Sequence, residues 1–324
     1  MCCSKNSFLS EMATRINVGR MYQPVVRILM LLTLVVTGAT ISTAAPVAAQ
    51  VPVPALLVPS NPEIHIGKII FMELISPDIE SAKRFYSGLF GWTFQTTTSG
   101  NLDYAEAYIN DYPIAGLIQK KILDNEHRQS AWLTFISVGD IDAAKTLAVQ
   151  HGAKVLVAPK DVPDRGRQAV LLDPEGAVFA MLTSNSGDPS DVLSVPGEWI
   201  WSSLLSSDPD AGAAFYQALF NYEIFELPAK TGTENLMLAS ENYARASINS
   251  LPSGEQGRHS DWISYVRVVD ADSMVAKVVE LGGKILVKPR IDRHGEKVAI
   301  VADPAGALFG LLEWAGIEMK EVTK

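Results

Sequence analysis

Hydrophobic and polar positions alternate in short runs from residue 67 onward, and each set of runs is broken by one helical stripe. Gly67–Ile75 reads as a strand. After Asp78 the apolar positions Ile79, Ala82, Phe85, Tyr86 and Leu89 recur at helical spacing, so a helix should run to about Phe90. Asp78 is placed to cap it, because a carboxylate there accepts from the first free backbone N–H groups. Three strands follow near Thr93–Thr98, Tyr104–Asn110 and Ile114–Lys120, which makes a β-α-β-β-β unit. The unit then repeats: a strand Ala131–Val138, a helix Asp140–Gly152, and strands near Lys154–Val157, Gln168–Leu172 and Ala177–Thr183.

A longer repeat lies over this one. Asp173-Pro174-Glu175-Gly176-Ala177-Val178-Phe179 returns 130 positions later as Asp303-Pro304-Ala305-Gly306-Ala307-Leu308-Phe309. Proline presets the turn and glycine supplies its left-handed residue, so each copy reads as the hairpin joining the last two strands of a sheet. The same shift superposes Phe85-Tyr86 on Phe215-Tyr216, Trp132 on Trp262, and Gly152–Val157 on Gly282–Val287. Asp208 and Asp270 complete a set of four helix-opening aspartates. The expected fold is therefore α+β, with four β-α-β-β-β modules paired into two tandem domains of curved mixed sheets. The boundaries expected are 64–184 and 197–315, with a linker at 185–196 and a tail at 316–324.

The first fifty residues follow other rules. Arg15, Arg20 and Arg27 precede an uncharged apolar run from Ile28, which thins to small residues before Gln50. This order suits a secretory signal over 1–49, with a proline-rich extended linker at 50–63. An uncleaved membrane anchor is the other reading. The expected location is secreted or periplasmic, with membrane contact only through an uncleaved signal segment. The formal net charge of −9 and pI near 5.1 exclude a basic nucleic-acid footprint. Both cysteines, Cys2 and Cys3, fall in the signal region, so no cysteine metal site or disulfide is expected in the body.

The four modules, the Asp-x-x-x-(small)-x-x-Phe-Tyr helix and the Asp-Pro-x-Gly hairpin together resemble the vicinal oxygen chelate superfamily. This is the glyoxalase, bleomycin-resistance and ring-cleaving dioxygenase group, in its double-domain form. The resemblance spans about Ile64–Trp314 and implies a curved cleft in each domain. It also implies a divalent metal held by His and Glu. The positions that would carry those ligands are Phe71, Leu133, Ala180, Trp201, Ile263 and Gly310, and none can coordinate such a cation. No cofactor is therefore expected, unless a metal uses other ligands. The five histidines show no ligand spacing and read as surface or capping residues.

Strand alternation assigns the cleft faces. Phe71, Glu73, Leu133, Phe135 and Ala180 would line the first cleft, an apolar wall with one acid. Trp201, Ser203, Ile263, Tyr265, Arg267 and Gly310 would line the second, an aromatic wall with one cation. Phe71, Phe135, Trp201, Tyr265 and Arg267 are the candidate ligand-binding residues, against a reading as plain core. Glu73 is the candidate catalytic base, or a carboxylate paired at the rim. Arg165-Gly166-Arg167 and Arg290–Lys297 read as charged, solvated loops, although the resemblance implies that a loop here can close over the cleft; Tyr104, Tyr108 and Tyr112 read as sheet surface. Three function classes follow. One is an exported metal-free binder of a small, partly aromatic molecule. Another is a lyase, isomerase or dioxygenase using Glu73 or ligands outside the family pattern. The last is a structural module with filled clefts.

Overall fold

The computed structural model describes residues 53–99, 102–120, 130–226, 235–251, 260–292 and 295–314. The expected signal segment (1–49), the expected tail (316–324) and His127, His259 and His294 lie outside them. Each half of the chain forms one mixed eight-stranded sheet. The first contains β1 (Ile69–Ser76), β2 (Thr93–Ser99), β3 (Leu102–Ile109), β4 (Tyr112–Gln119), β5 (Ala131–Ser137), β6 (Lys154–Val162), β7 (Gly166–Leu172) and β8 (Val178–Ser184). Its order is β2-β3-β4-β1-β5-β8-β7-β6. The second contains β9 (Trp199–Ser206), β10 (Glu223–Glu226), β11 (Asn235–Ser240), β12 (Tyr243–Ser250), β13 (Asp261–Val268), β14 (Lys284–Ile291), β15 (Lys297–Ala302) and β16 (Leu308–Glu313), in the matching order. The two modules of each domain meet through their first strands, β1 with β5 and β9 with β13, paired antiparallel.

Each module contributes one helix: α1 (Ile79–Phe90), α2 (Ile141–Gln150), α3 (Pro209–Phe220) and α4 (Ala271–Glu280). The expected aspartates cap all four. Asp78, Asp140, Asp208 and Asp270 each accept backbone N–H bonds from the first turn. The hairpin glycines adopt the left-handed backbone the turn requires, Gly176 at φ 98° and Gly306 at φ 100°.

The helices of the two domains pack on each other. One apolar core joins Phe85 and Tyr86 of α1 to Val275 and Val278 of α4 and to Phe309. The other joins Ile141 and Ala148 of α2 and Phe179 to Phe215 and Tyr216 of α3. The repeated motif residues close this interface reciprocally. Tyr86 donates to Asp303 Oδ2 at 3.3 Å, and Tyr216 donates to Asp173 Oδ2 at 3.0 Å. Trp132 and Trp262 each donate to the tyrosine of their own domain at 2.9 Å. Both aspartates also accept from their own hairpin backbone, and burial pushes each up to about 6.

The connecting segments are also docked. Asn61 N–H donates to Ser186 O, Leu57 N–H to Ser186 Oγ, and His65 N–H to Asp188 Oδ2. Asp188 is buried and also accepts from Ser137 Oγ. No helix among the described residues is long and apolar enough to cross a membrane.

Candidate functional site

The sheet faces turned away from the helices carry separate apolar clusters, one per domain, at the places where the two clefts are expected. In the first, register places Phe71 opposite Phe135, Glu73 opposite Leu133, and Phe135 beside Ala180. In the second, Trp201 lies opposite Tyr265, Ser203 opposite Ile263, and Tyr265 beside Gly310. The sequence-derived cleft residues therefore fall on matched positions of two superposable frames.

The first cleft holds a buried polar group within its apolar wall. Glu73 is 7% exposed. Burial pushes its carboxyl up to about 7, a rise that nearby Arg165 and Lys160 only partly offset and Glu106 adds to. It makes no hydrogen bond among the described residues. Glu106 sits two strands away across Gly116, on the same row as Glu73. Arg165 donates through Nη2 to Glu106 Oε1 at 2.6 Å and to Tyr104 Oη at 3.1 Å. Its guanidinium lies 4.1 Å from the centroid of the Phe71 ring. Tyr104 crosses over Gly116, where a Cβ would come within 2.6 Å of its hydroxyl.

Two sequence expectations are corrected here. Arg165 is 2% exposed rather than part of a solvated loop, although Arg167 beside it is a surface residue paired with Asp142 and Asp161. The reason is the β6–β7 hairpin, which extends beyond the expected strands and carries Arg165 inward. Tyr104 is fully buried rather than on the sheet surface, while Tyr112 is exposed as expected. A charged stretch with proline and glycine looks like any loop, so composition held no sign of Arg165. The signal for Tyr104 and Glu106 was their period-two spacing on β3, on the same face.

The first cleft is also covered. Leu56, 3% exposed, belongs to the cluster of Phe71, Leu133, Phe135 and Leu156. Pro54 O accepts from Arg165 Nε at 2.7 Å.

The second cleft has Ser203 where the first has Glu73, Ser247 where it has Gly116, and Met237 where it has Glu106. Trp201 Nε1 donates to Ser247 Oγ at 3.1 Å, and Ser203 and Ser247 share a hydrogen bond at 2.8 Å. Tyr265 is buried, which pushes its hydroxyl up to about 12 despite a hydrogen bond with Ser203. Its ring covers Gly310, where a Cβ would lie 2.0 Å from Cδ1. Trp201 is half-buried and packs beside Tyr265 in this cluster. Arg267 lies at the strand end. Its Nη1 donates to Ser194 O at 2.5 Å, and its guanidinium stands 5.0 Å from the Trp314 ring centroid. It lines a recess of about 500 Å³ with Trp314, Lys297 and Glu313.

The positions that the resemblance assigns to the family's metal ligands carry no suitable donor in either wall. Phe71, Leu133, Ala180, Trp201, Ile263 and Gly310 present carbon, hydrogen or indole where oxygen or imidazole donors are needed. One other group has suitable spacing among the described residues: His65, Asp191 and Glu241, with donor atoms within 4.8 Å of one another. It sits at the domain junction, and its carboxylates already have cationic partners. Asp191 pairs with Lys68 at 2.7 Å and Arg245 at 2.6 Å, and Glu241 pairs with Arg245 at 2.9 Å and lies 2.8 Å from His65 Nδ1. A divalent ion there would have to displace two cations.

Comparison with known proteins agrees with this architecture. Residues 65–181 match the model of the glyoxalase/bleomycin resistance protein/dioxygenase superfamily, and 203–312 match a glyoxalase-like domain. CFP32 of Mycobacterium tuberculosis, named as a proposed glyoxylase, is 28% identical over 79% of this chain and 98% of its own. The anthracycline biosynthesis protein DauV of Streptomyces is 26% identical over 76% and 93%. Among solved structures, the Mn(II)-bound glyoxalase of Novosphingobium aromaticivorans aligns at TM-score 0.53 and 14% identity, covering 77% of this chain and 82% of that one. A homoprotocatechuate 2,3-dioxygenase variant of Brevibacterium fuscum aligns at 0.54 and 12%, covering 80% and 74%. The repeated modules, their strand order and the two family matches have one reading: the chain belongs to the vicinal oxygen chelate superfamily, with two tandem glyoxalase-like domains.

Proposed function

We propose that the chain is an exported small-molecule-binding protein that uses this fold without the family's metal centre. On this reading the second cleft receives a flat, partly aromatic molecule. The observation that carries it is the wall itself. At the family's ligand positions Trp201, Ile263 and Gly310 offer no donor, while Trp201 and Tyr265 are oriented by Ser203 and Ser247. Two aromatic rings beside a small hydroxyl cluster suit stacking plus one or two hydrogen bonds. Similarity to a protein named for anthracycline biosynthesis supports the same class. The test is a tryptophan-fluorescence titration with a soluble anthraquinone sulfonate. Saturable quenching that Trp201→Phe weakens at least tenfold supports the reading. Absence of quenching, or quenching indifferent to Trp201, counts against it.

One observation favours a second reading, proton transfer in the first cleft. Glu73 has no hydrogen-bond partner among the described residues and titrates near neutrality, as a general base requires. It predicts a turnover that Glu73→Gln abolishes with the fold intact. A Glu73→Gln variant of full activity would remove it.

A further inference from the structure

The first cleft contains a piece of its own chain, and the contacts show what the cleft accepts. Leu56 is buried to 3% exposure in the cluster that includes Phe71, Leu133 and Phe135. The carbonyl of Pro54 takes Arg165 Nε at 2.7 Å, and the Leu57 amide is held by Ser186 Oγ at 3.0 Å. The segment thus presents one carbonyl acceptor and one branched aliphatic group, two residues apart in the chain. Beyond Leu56 the chain turns back to solvent, since Val58 is 90% exposed.

The cleft offers more than the segment uses. Arg165 is 2% exposed, and its Nη1 is buried without a hydrogen-bond partner. Its Nη2 is already committed to Glu106 and Tyr104. A buried guanidinium edge left unmatched is a cost that a ligand with a further acceptor would remove. In the second domain the position matching Arg165 is Gly295.

We infer that the first cleft is a binding site for carbonyl compounds bearing a branched aliphatic group, and that residues Pro54–Leu57 are its intramolecular occupant. A ligand must displace this strap, with its carbonyl replacing Pro54 O on Arg165 and its alkyl group replacing Leu56. Tethering gives the strap a high local concentration, so the intact protein holds the site closed to weak ligands. The inference stands whether or not the second cleft takes an aromatic molecule.

The test uses the full chain and a peptide amide of residues 53–58, labelled with fluorescein through its N-terminus, as probe. Leu56→Asp in the protein puts a charge where the cluster is apolar and releases the strap. Fluorescence anisotropy should then show saturable binding to the variant, at least tenfold tighter than to the unsubstituted protein. The same peptide carrying the Leu56→Asp change should not bind, and Arg165→Met in the released protein should weaken binding at least tenfold. A folded variant that takes up no peptide overturns the inference, as does equal uptake by the unsubstituted protein. If Leu56→Asp fails to fold by near-ultraviolet circular dichroism, Leu56→Ala carries the same comparison with the same two readings.

Discussion

At matched strand positions the first sheet presents Phe71, Glu73, Leu133, Phe135 and Ala180, and the second presents Trp201, Ser203, Ile263, Tyr265 and Gly310. The frames coincide and the chemistry does not. One wall carries a carboxyl near neutrality, a buried ion pair and a strap. The other carries aromatic rings tied to serine hydroxyls. Residues that recur between the halves lie elsewhere: Phe85-Tyr86 and Phe215-Tyr216, Trp132 and Trp262, Asp173 and Asp303. Those build the packed helices and the reciprocal tyrosine–aspartate bonds between domains. The repeat has thus been retained where the two halves hold each other and lost where each half faces its cleft.

The difference can be broken most strongly at the buried ion pair. Glu106→Ala strands Arg165 without its counter-charge and should cost about 3–5 kcal/mol in urea unfolding. Met237, the residue at the matching register, has no such charge to strand, so Met237→Ala should cost clearly less. Equal losses would mean that the ion pair is incidental.

The next effect depends on pH. The Glu73 carboxyl is raised by folding, so its contribution is full below its unfolded value and is lost as pH rises through about 7. Glu73→Gln removes that loss. Relative to the parent, it should gain up to about 3 kcal/mol between pH 4 and pH 8, the worth of a shift of this size. Ser203→Ala at the matching position should show no such slope. Asp173 and Asp303 are present in both proteins and cancel from the comparison.

Smaller effects test the second wall. Gly310→Ala forces Tyr265 off its seat and should cost about 1–3 kcal/mol. The reverse change in the first cleft, Ala180→Gly, adds no clash and should cost about 0.5–1 kcal/mol. Ser247→Ala leaves Trp201 Nε1–H and Ser203 short of a partner, for about 1 kcal/mol. It should also broaden any ligand-induced change in tryptophan fluorescence.

Much of the frame was legible because it rests on local rules repeated four times. An aspartate before each apolar stripe caps a helix, and Asp-Pro-x-Gly makes a turn wherever it stands. Strand alternation likewise placed Phe71 with Glu73 and Trp201 with Ser203 on common faces. The remainder depends on contacts distant in sequence. Nothing near Asp173 reveals that its side chain reaches Tyr216 in the other domain. Arg165 lies in a stretch that looks solvated, and only the length of its hairpin brings it under Glu106 and over Phe71. Residues 54–57 read as a spacer because prolines disfavour regular structure, yet Leu56 packs into the apolar cluster while the Pro54 carbonyl and Leu57 amide are held by Arg165 and Ser186.

The account turns on whether the cleft walls have replaced metal chemistry, and elemental analysis of the full chain purified without chelator addresses that directly. Manganese, iron, nickel and zinc should each stand well below one equivalent per folded chain. One retained equivalent of any of them would contradict the account and direct attention to His65, Asp191 and Glu241 as its ligands.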